Sequence, residues 1–209
     1  MTSPSELRPD LQMIADLVPI GAKLLDVGCG DGALLAWLKA HKQVDGRGLE
    51  FSADKVTQAI ARGLSVIQGN AETDLHFYRK ASHDIVVLSR TLQAMHDPVA
   101  VLQEILRIGK QAIISIPNFG YWKNRAYLGL RGRMPVTKTL TYEWYNTPNI
   151  HFCTLHDFVD LCALQKIQIH QRIYLRNDGQ KSLLQRGIAI PNVLAEQALF
   201  VLSSQEAFS

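Results

Sequence analysis

Apolar residues recur along this chain in two rhythms, one helical and one extended, and the two alternate. Leu11, Ile14, Ala15 and Val18 share one helical face, which predicts a helix over 9–18 ended by Pro19 and Gly21. An apolar run over 23–27 suits a strand, and helical spacing resumes over 33–40. A strand over 46–50 follows, then a helix over 54–62 closed by Gly63, then a short strand over 65–68. Residues 84–89 hold four consecutive apolar side chains, the pattern of a strand buried on both faces. Asp97 as N-cap and Pro98 at the first helical position open a helix to residue 106, and a fifth strand over 111–116 stops at Pro117. Thr154 with Asp157 forms a capping box for a helix over 155–164, and two more strands occupy 167–174 and 198–203. Strands separated by helices predict an α/β fold: a doubly wound, mostly parallel, seven-stranded sheet with helices on both faces. The stretch 176–195 carries only a turn signal, Asn177-Asp178-Gly179.

Where the first strand hands over to its helix, the sequence is Leu24-Leu25-Asp26-Val27-Gly28-Cys29-Gly30-Asp31-Gly32-Ala33. Alternate glycines permit a tight turn that a Cβ would forbid and let backbone lie close to a ligand. The following helix aims free N–H groups over the turn. Gly28, Gly30 and Ala33 also fit the alanine-ended dinucleotide fingerprint, and a turn packed for its own sake is the blander reading. Asp26 argues against a dinucleotide, because a carboxylate there would repel a pyrophosphate. It suits a ligand with positive charge, such as the sulfonium and ammonium of S-adenosylmethionine. Ligands of doubly wound sheets bind beyond the carboxyl ends of the strands, and polar residues gather at those predicted ends: Asp26, Glu50, Gly69-Asn70-Ala71, Ser89-Arg90 and Asn118. Each of them alone suits a solvated loop equally well.

Composition narrows the classes. With 209 residues, 47% of them hydrophobic, the chain can bury a full core, and one domain over 1–209 is expected. No apolar run reaches membrane-spanning length, and the first ten residues lack the apolar centre of a targeting peptide, so a cytoplasmic protein without a membrane partner is expected. Cys29, Cys153 and Cys162 make no CxxC pair and leave an odd thiol, against a disulfide framework. His151 and His156 miss the i, i+4 spacing of a helical metal pair, so no metal is expected. A net charge of +3 gives no reason to invoke nucleic acid.

The turn from Asp26 to Gly32 and the acid Glu50 closing the second strand resemble class I S-adenosylmethionine-dependent methyltransferases. That resemblance implies a Rossmann-like sheet with an antiparallel final strand, and S-adenosylmethionine or S-adenosylhomocysteine as cofactor. It implies binding by Asp26, Gly28, Cys29, Gly30, Gly32, Glu50, Phe51, Asn70, Ala71 and Ser89. Glu50 would accept from both ribose hydroxyls, a bidentate arrangement. Asn70 and Ala71 would face the adenine edge, Asn70 accepting from the exocyclic amine where many relatives have an aspartate. The Asn/Asp-Pro-Pro-aromatic motif of nucleic-acid amino-methyltransferases is replaced here by Ser89-Arg90-Thr91-Leu92, which discounts a nucleic-acid acceptor.

Residues 119–150 form a basic, aromatic insertion. Phe119, Tyr121, Trp122, Tyr127, Tyr142, Trp144 and Tyr145 stand with Lys123, Arg125, Arg131, Arg133 and Lys138 against a single acid, Glu143. Such a mixture suits interface anchors, a lid over an anionic or flat substrate, or aromatics packed beneath a solvated basic helix. Arg90, Asn118, Tyr121, Trp122, Arg131, Arg133, Trp144 and Tyr145 are the candidate partner or substrate surface.

Several stretches are more specific still. Leu7-Arg8-Pro9-Asp10-Leu11, Gln93-Ala94, Ile116-Pro117-Asn118-Phe119-Gly120-Tyr121-Trp122, Leu130-Arg131-Gly132-Arg133-Met134-Pro135-Val136-Thr137 and Tyr142-Glu143-Trp144-Tyr145-Asn146-Thr147-Pro148-Asn149-Ile150-His151 resemble the MetW family of methionine biosynthesis proteins, over about residues 6–205. The resemblance implies a role in acylation of homoserine together with the acyltransferase MetX. No G-x-S-x-G nucleophile elbow exists in the chain, so acyl transfer belongs to the partner. S-adenosylmethionine lies downstream of methionine, so a site for it on such a protein implies a regulator. The alternative is an active methyltransferase on a small-molecule acceptor.

Overall fold

A computed structural model describes residues 7–137, 140–176 and 187–204. Seven strands form one sheet: β1 Lys23–Val27, β2 Asp45–Glu50, β3 Ser65–Gln68, β4 His83–Ser89, β5 Gly109–Pro117, β6 Ile167–Leu175 and β7 Gln197–Ser204. Their order is β3-β2-β1-β4-β5-β7-β6. The first five run parallel, and β7 lies antiparallel between β5 and β6. The expected α/β architecture, doubly wound and mostly parallel, is the architecture found.

Strand alternation sorts side chains onto two faces. Leu25, Val27, Val86, Leu88, Ala112, Ile114 and Ile116 belong to one apolar cluster, and Leu24, Ile85, Val87 and Ile113 to the other. Helices α1 (Pro9–Leu17), α2 (Ala33–Lys42) and α3 (Ala53–Ala61) cover the second face. Helices α5 (Pro98–Ile108) and α7 (Leu155–Leu164) cover the first. Both expected caps are present. Asp97 accepts from the Ala100 N–H, and Thr154 with Asp157 closes a full capping box.

Three helices fall where no periodicity predicts them: α4 (Ala71–Asp74), α6 (Trp122–Arg131) and α8 (Ala189–Leu194). Two are short. In α6 only Asn124 is buried while Trp122, Leu128 and Leu130 face out, so no apolar stripe marks the helix. The turn signal Asn177-Asp178-Gly179 lies outside the described residues. Among those residues, no helix is long and apolar enough to cross a membrane.

Candidate functional site

The turn after β1 is stitched to the end of β2. The Gly28 N–H donates to the Leu49 carbonyl at 2.7 Å, and the Gly30 N–H donates to Glu50 Oε2 at 2.8 Å. Gly28, Gly30 and Gly32 take φ of +73°, +59° and +77°, the left-handed region where a Cβ is strained. Their surroundings differ. A Cβ on Gly28 would sit 2.7 Å from Thr91 Oγ1, and one on Gly32 would strike Leu64 and Ala59 of the α3 region. At Gly30 the space is open, a hollow with nothing within 4 Å of where a Cβ would stand. Gly32 therefore packs α2 against α3, while its neighbours Gly30, Asp31 and Ala33 line the first cavity described below.

Glu50, 7% exposed, is oriented from both sides. Besides the bond from Gly30, its Oε1 accepts from the Ser52 N–H at 3.0 Å. Each carboxylate oxygen keeps a further lone pair, so the group can accept two more donors side by side.

Asp26, on the Leu24 face of β1, is 3% exposed. Burial first, and the neighbouring Glu50 charge second, push its carboxyl up to about 7. Burial and the same two carboxylates also push the Cys29 thiol upward, so it stays a neutral thiol. Two neighbouring acids beneath an open glycine hollow make a site that gains by receiving positive charge.

Two adjoining cavities open above these strand ends. The first, about 360 Å³, is lined by Asp26, Gly28, Cys29, Gly30 and Ser89 among the expected residues. The second, about 460 Å³, is lined by Gly28, Glu50, Phe51, Asn70 and Ala71. Both touch Gly28, Lys55, Arg90, Thr91 and Pro148, so they read as halves of one cleft. Asn70 sits differently from expectation. Its Oδ1 caps α4 by accepting from the Glu72 N–H at 3.0 Å, which leaves one lone pair on that oxygen and the amide NH₂ for a ligand.

Arg90 belongs to the cleft as well as to its expected surface. It is a non-glycine residue at φ +55°, held by its N–H to Ser115 Oγ at 2.9 Å and by its guanidinium to Gln197 Oε1 at 2.8 Å and Asp10 Oδ2 at 3.2 Å. Asp10 is 2% exposed and also pairs with Arg8, so this buried cluster clamps the start of α1 beside the first cavity.

The remaining surface candidates divide. Asn118 is 1% exposed; its amide donates to the Asn192 and Ala195 carbonyls at 2.8 Å and accepts from the Gly120 N–H, so it holds loops together and presents nothing outward. Tyr121 is likewise buried. Asn118 and Tyr121 thus lie beneath the surface rather than on it, Asn118 with its amide bonded inward. Trp122, Arg131, Arg133, Trp144 and Tyr145 are exposed. Thr91, Lys55, Arg8, Pro148 and Asn149 line the cleft without having been singled out. Arg8, Pro148 and Asn149 belong to stretches that resemble the MetW family, and Thr91 directly follows Ser89-Arg90; Lys55 leaves no signal beyond its position near a helix start.

The family model for methionine biosynthesis protein MetW matches residues 8–202. The chain belongs to the MetW family. A MetW relative, the bifunctional methionine biosynthesis protein MetXA/MetW of Rhodopirellula baltica, is 33% identical over 185 residues, which is 84% of this chain and 30% of that protein. The chain thus spans under a third of that relative's length. The chain also shares its fold with many solved structures. An S-adenosylmethionine-dependent methyltransferase from Thermotoga maritima superposes with TM-score 0.64 at 19% identity, covering 94% of this chain and 88% of its own. The [4+2]-cyclase SpnF superposes with TM-score 0.65 at 15% identity, covering 93% and 80%. One scaffold thus carries proteins described by different reactions, and fold alone assigns none of them to this chain.

Proposed function

We propose that this MetW-family chain is an S-adenosylmethionine-binding accessory protein that acts with homoserine O-acyltransferase in the acylation of homoserine, as its regulator. The observation that carries the reading is the bifunctional relative, whose name joins MetXA to MetW in one polypeptide. Two activities kept on one chain meet at high effective concentration, and separate chains achieve the same by binding each other. Acyl transfer is left to the partner, since no nucleophile elbow occurs in this sequence.

The cleft supports the ligand half of the proposal. Glu50 is the group for the ribose hydroxyls, because backbone N–H bonds orient it and leave a lone pair on each oxygen. The hollow at Gly30 is where backbone can approach the ligand, and a Cβ there would fill it. Asn70 offers its NH₂, and Ala71 its methyl, to the adenine. Asp26 faces the cavity that would take the charged methionine end. When bound, S-adenosylmethionine supplies a cationic sulfonium with an activated methyl. The residues of this chain bind and orient it, and Asp26 holds or releases a proton according to the charge beside it.

Calorimetric titration with S-adenosylmethionine and S-adenosylhomocysteine, followed by co-purification with the acyltransferase and acylation assays with and without ligand, tests both halves. Heat of binding, a stable pair and an acylation rate that responds to ligand are expected. A chain that binds ligand, ignores the acyltransferase and methylates a small molecule would replace this reading with the enzymatic one.

A further inference from the structure

We infer that residues 140–151 are a shared wall through which occupancy of the ligand cleft and docking of the acyltransferase are coupled. The inference rests on the function proposed above and names the element that would carry the regulation.

The stretch has two sides. Thr141, Tyr142, Pro148 and Asn149 line the first cavity, and Pro148 lines the second as well. Trp144 and Tyr145 point away, 72% and 70% exposed, their rings edge to face at 5.8 Å. Paired exposed aromatics with two rotatable bonds each are the material of interface anchors.

Its attachment is sparse. Ile150 and His151 donate their N–H groups to the Gln93 carbonyl at 2.8 and 3.0 Å. Gln93 lies in the turn Leu92–Ala94, directly after Arg90 and Thr91, which line both cavities. Among the described residues, the backbone N–H groups from 141 to 149 that have partners bond within the stretch, Asn146 to the Glu143 carbonyl and Asn149 to Thr147 Oγ1. A wall held at its ends, by buried Leu140 and by the bonds to Gln93, and bonded only locally between them loses freedom when a ligand fills in behind it or a protein settles in front. Whichever binds first bears the ordering cost, so the second binds more tightly.

The occupant of the outer side is the acyltransferase of the proposed function, the counterpart of the MetXA that shares a polypeptide with MetW in the relative from Rhodopirellula baltica. Charge constrains the face it would bring. Lys123, Arg125, Arg131 and Arg133 are exposed near Trp122 and Trp144 in sequence against Glu143, so the face that meets them must be acidic.

The test is the affinity of the full chain for purified acyltransferase, measured with and without saturating S-adenosylmethionine, and the converse ligand titration with and without acyltransferase. Ligand should tighten the complex at least about fivefold, and the acyltransferase should tighten ligand binding by the same factor, as linkage requires. Trp144→Ala should weaken the complex at least about tenfold while the ligand affinity of the isolated chain stays as it was. Pro148→Gly should lower the coupling factor with both binders still binding. Equal affinities with and without ligand in the native pair overturn the coupling and leave the proposed function standing; failure of ligand or acyltransferase to bind at all overturns both. A dimer of this chain that Trp144→Ala dissolves would assign the face to a second copy and overturn it too.

Discussion

The glycine turn above β1 and the stretch from 119 to 151 border the same cleft and are built on opposite plans. Around the turn, nearly every group is spoken for: Gly28 and Gly30 bond to the end of β2, Glu50 is gripped by two N–H groups, and Thr91 fills the space beside Gly28. Beyond Pro117 the chain keeps Asn118, Tyr121 and Asn124 in the interior and hangs Trp122, Trp144 and Tyr145 outside. A rigid floor with a loosely tied wall is the arrangement expected where a ligand must be recognised on one side and reported on the other.

Removing the grip of the floor should have the largest effect. Glu50→Ala deletes the acceptor for two hydroxyl donors and frees the Gly30 and Ser52 N–H groups. Charge-assisted bonds contribute about 1.5–3 kcal/mol each, so affinity for S-adenosylmethionine should fall more than about 100-fold by calorimetry. Circular dichroism should stay native. Retained affinity would mean that the floor recognises something other than vicinal hydroxyls.

The floor was also the legible half. Apolar runs and glycine punctuation bounded β1 and β3 as the structure has them and came within two residues for the other strands. For β1, β4 and β5 they succeed because a parallel strand buried on both faces reads as an apolar run, and for the exposed edge strand β3 because Gly63 and Gly69 bracket it. The wall left less trace. Helix α6 has no buried stripe to set a period, and Asn118 reads the same in sequence whether it faces solvent or binds two loop carbonyls. Residue composition announced that 119–150 was unusual without saying which of its side chains turn inward. Gly32 shows the converse limit, since three glycines in one motif divide into a contact with Thr91, an open hollow and a helix packing point.

Next in size is a pH effect stored in the floor. Asp26 titrates at about 7 in the folded chain against 3.8 ordinarily, so between those values the folded state holds a proton that the unfolded state has lost. Its contribution to stability is full below about pH 4 and declines as pH rises to about 7, a change of roughly a few kcal/mol. His83, lowered chiefly by its burial, acts in the opposite sense, since its stability contribution rises with pH. The difference between wild type and Asp26→Asn in urea unfolding isolates the aspartate, because every other titrating group is common to both. The wild type should compare most favourably with the variant below about pH 4 and least favourably above about pH 7. A pH-independent difference would place the Asp26 charge in contact with solvent or a counter-charge.

Within the floor, Gly28→Ala and Gly30→Ala separate packing from ligand contact. Both carry the left-handed strain of about 1–2 kcal/mol. Gly28→Ala adds a collision with Thr91 and should cost stability beyond that, whereas the methyl of Gly30→Ala meets nothing in the free protein. Gly30→Ala should therefore be the more stable of the two in urea unfolding and still lose ligand affinity, because the hollow is filled. Equal ligand affinity in Gly30→Ala and wild type would remove the hollow from the site.

The wall should yield the smallest effect on stability and, for that reason, the cleanest contrast. Trp144 is 72% exposed, and its ring contact is with Tyr145, itself 70% exposed. Truncating a residue that buries so little apolar surface should change unfolding free energy by no more than about 0.5 kcal/mol. A large loss of stability in Trp144→Ala would mean that the aromatic pair packs against the chain in solution and belongs with Asn118 and Tyr121 as interior structure. An unchanged melting temperature leaves two exposed rings whose presence folding does not explain, which sets aside the packing reading and keeps the interface and lid readings.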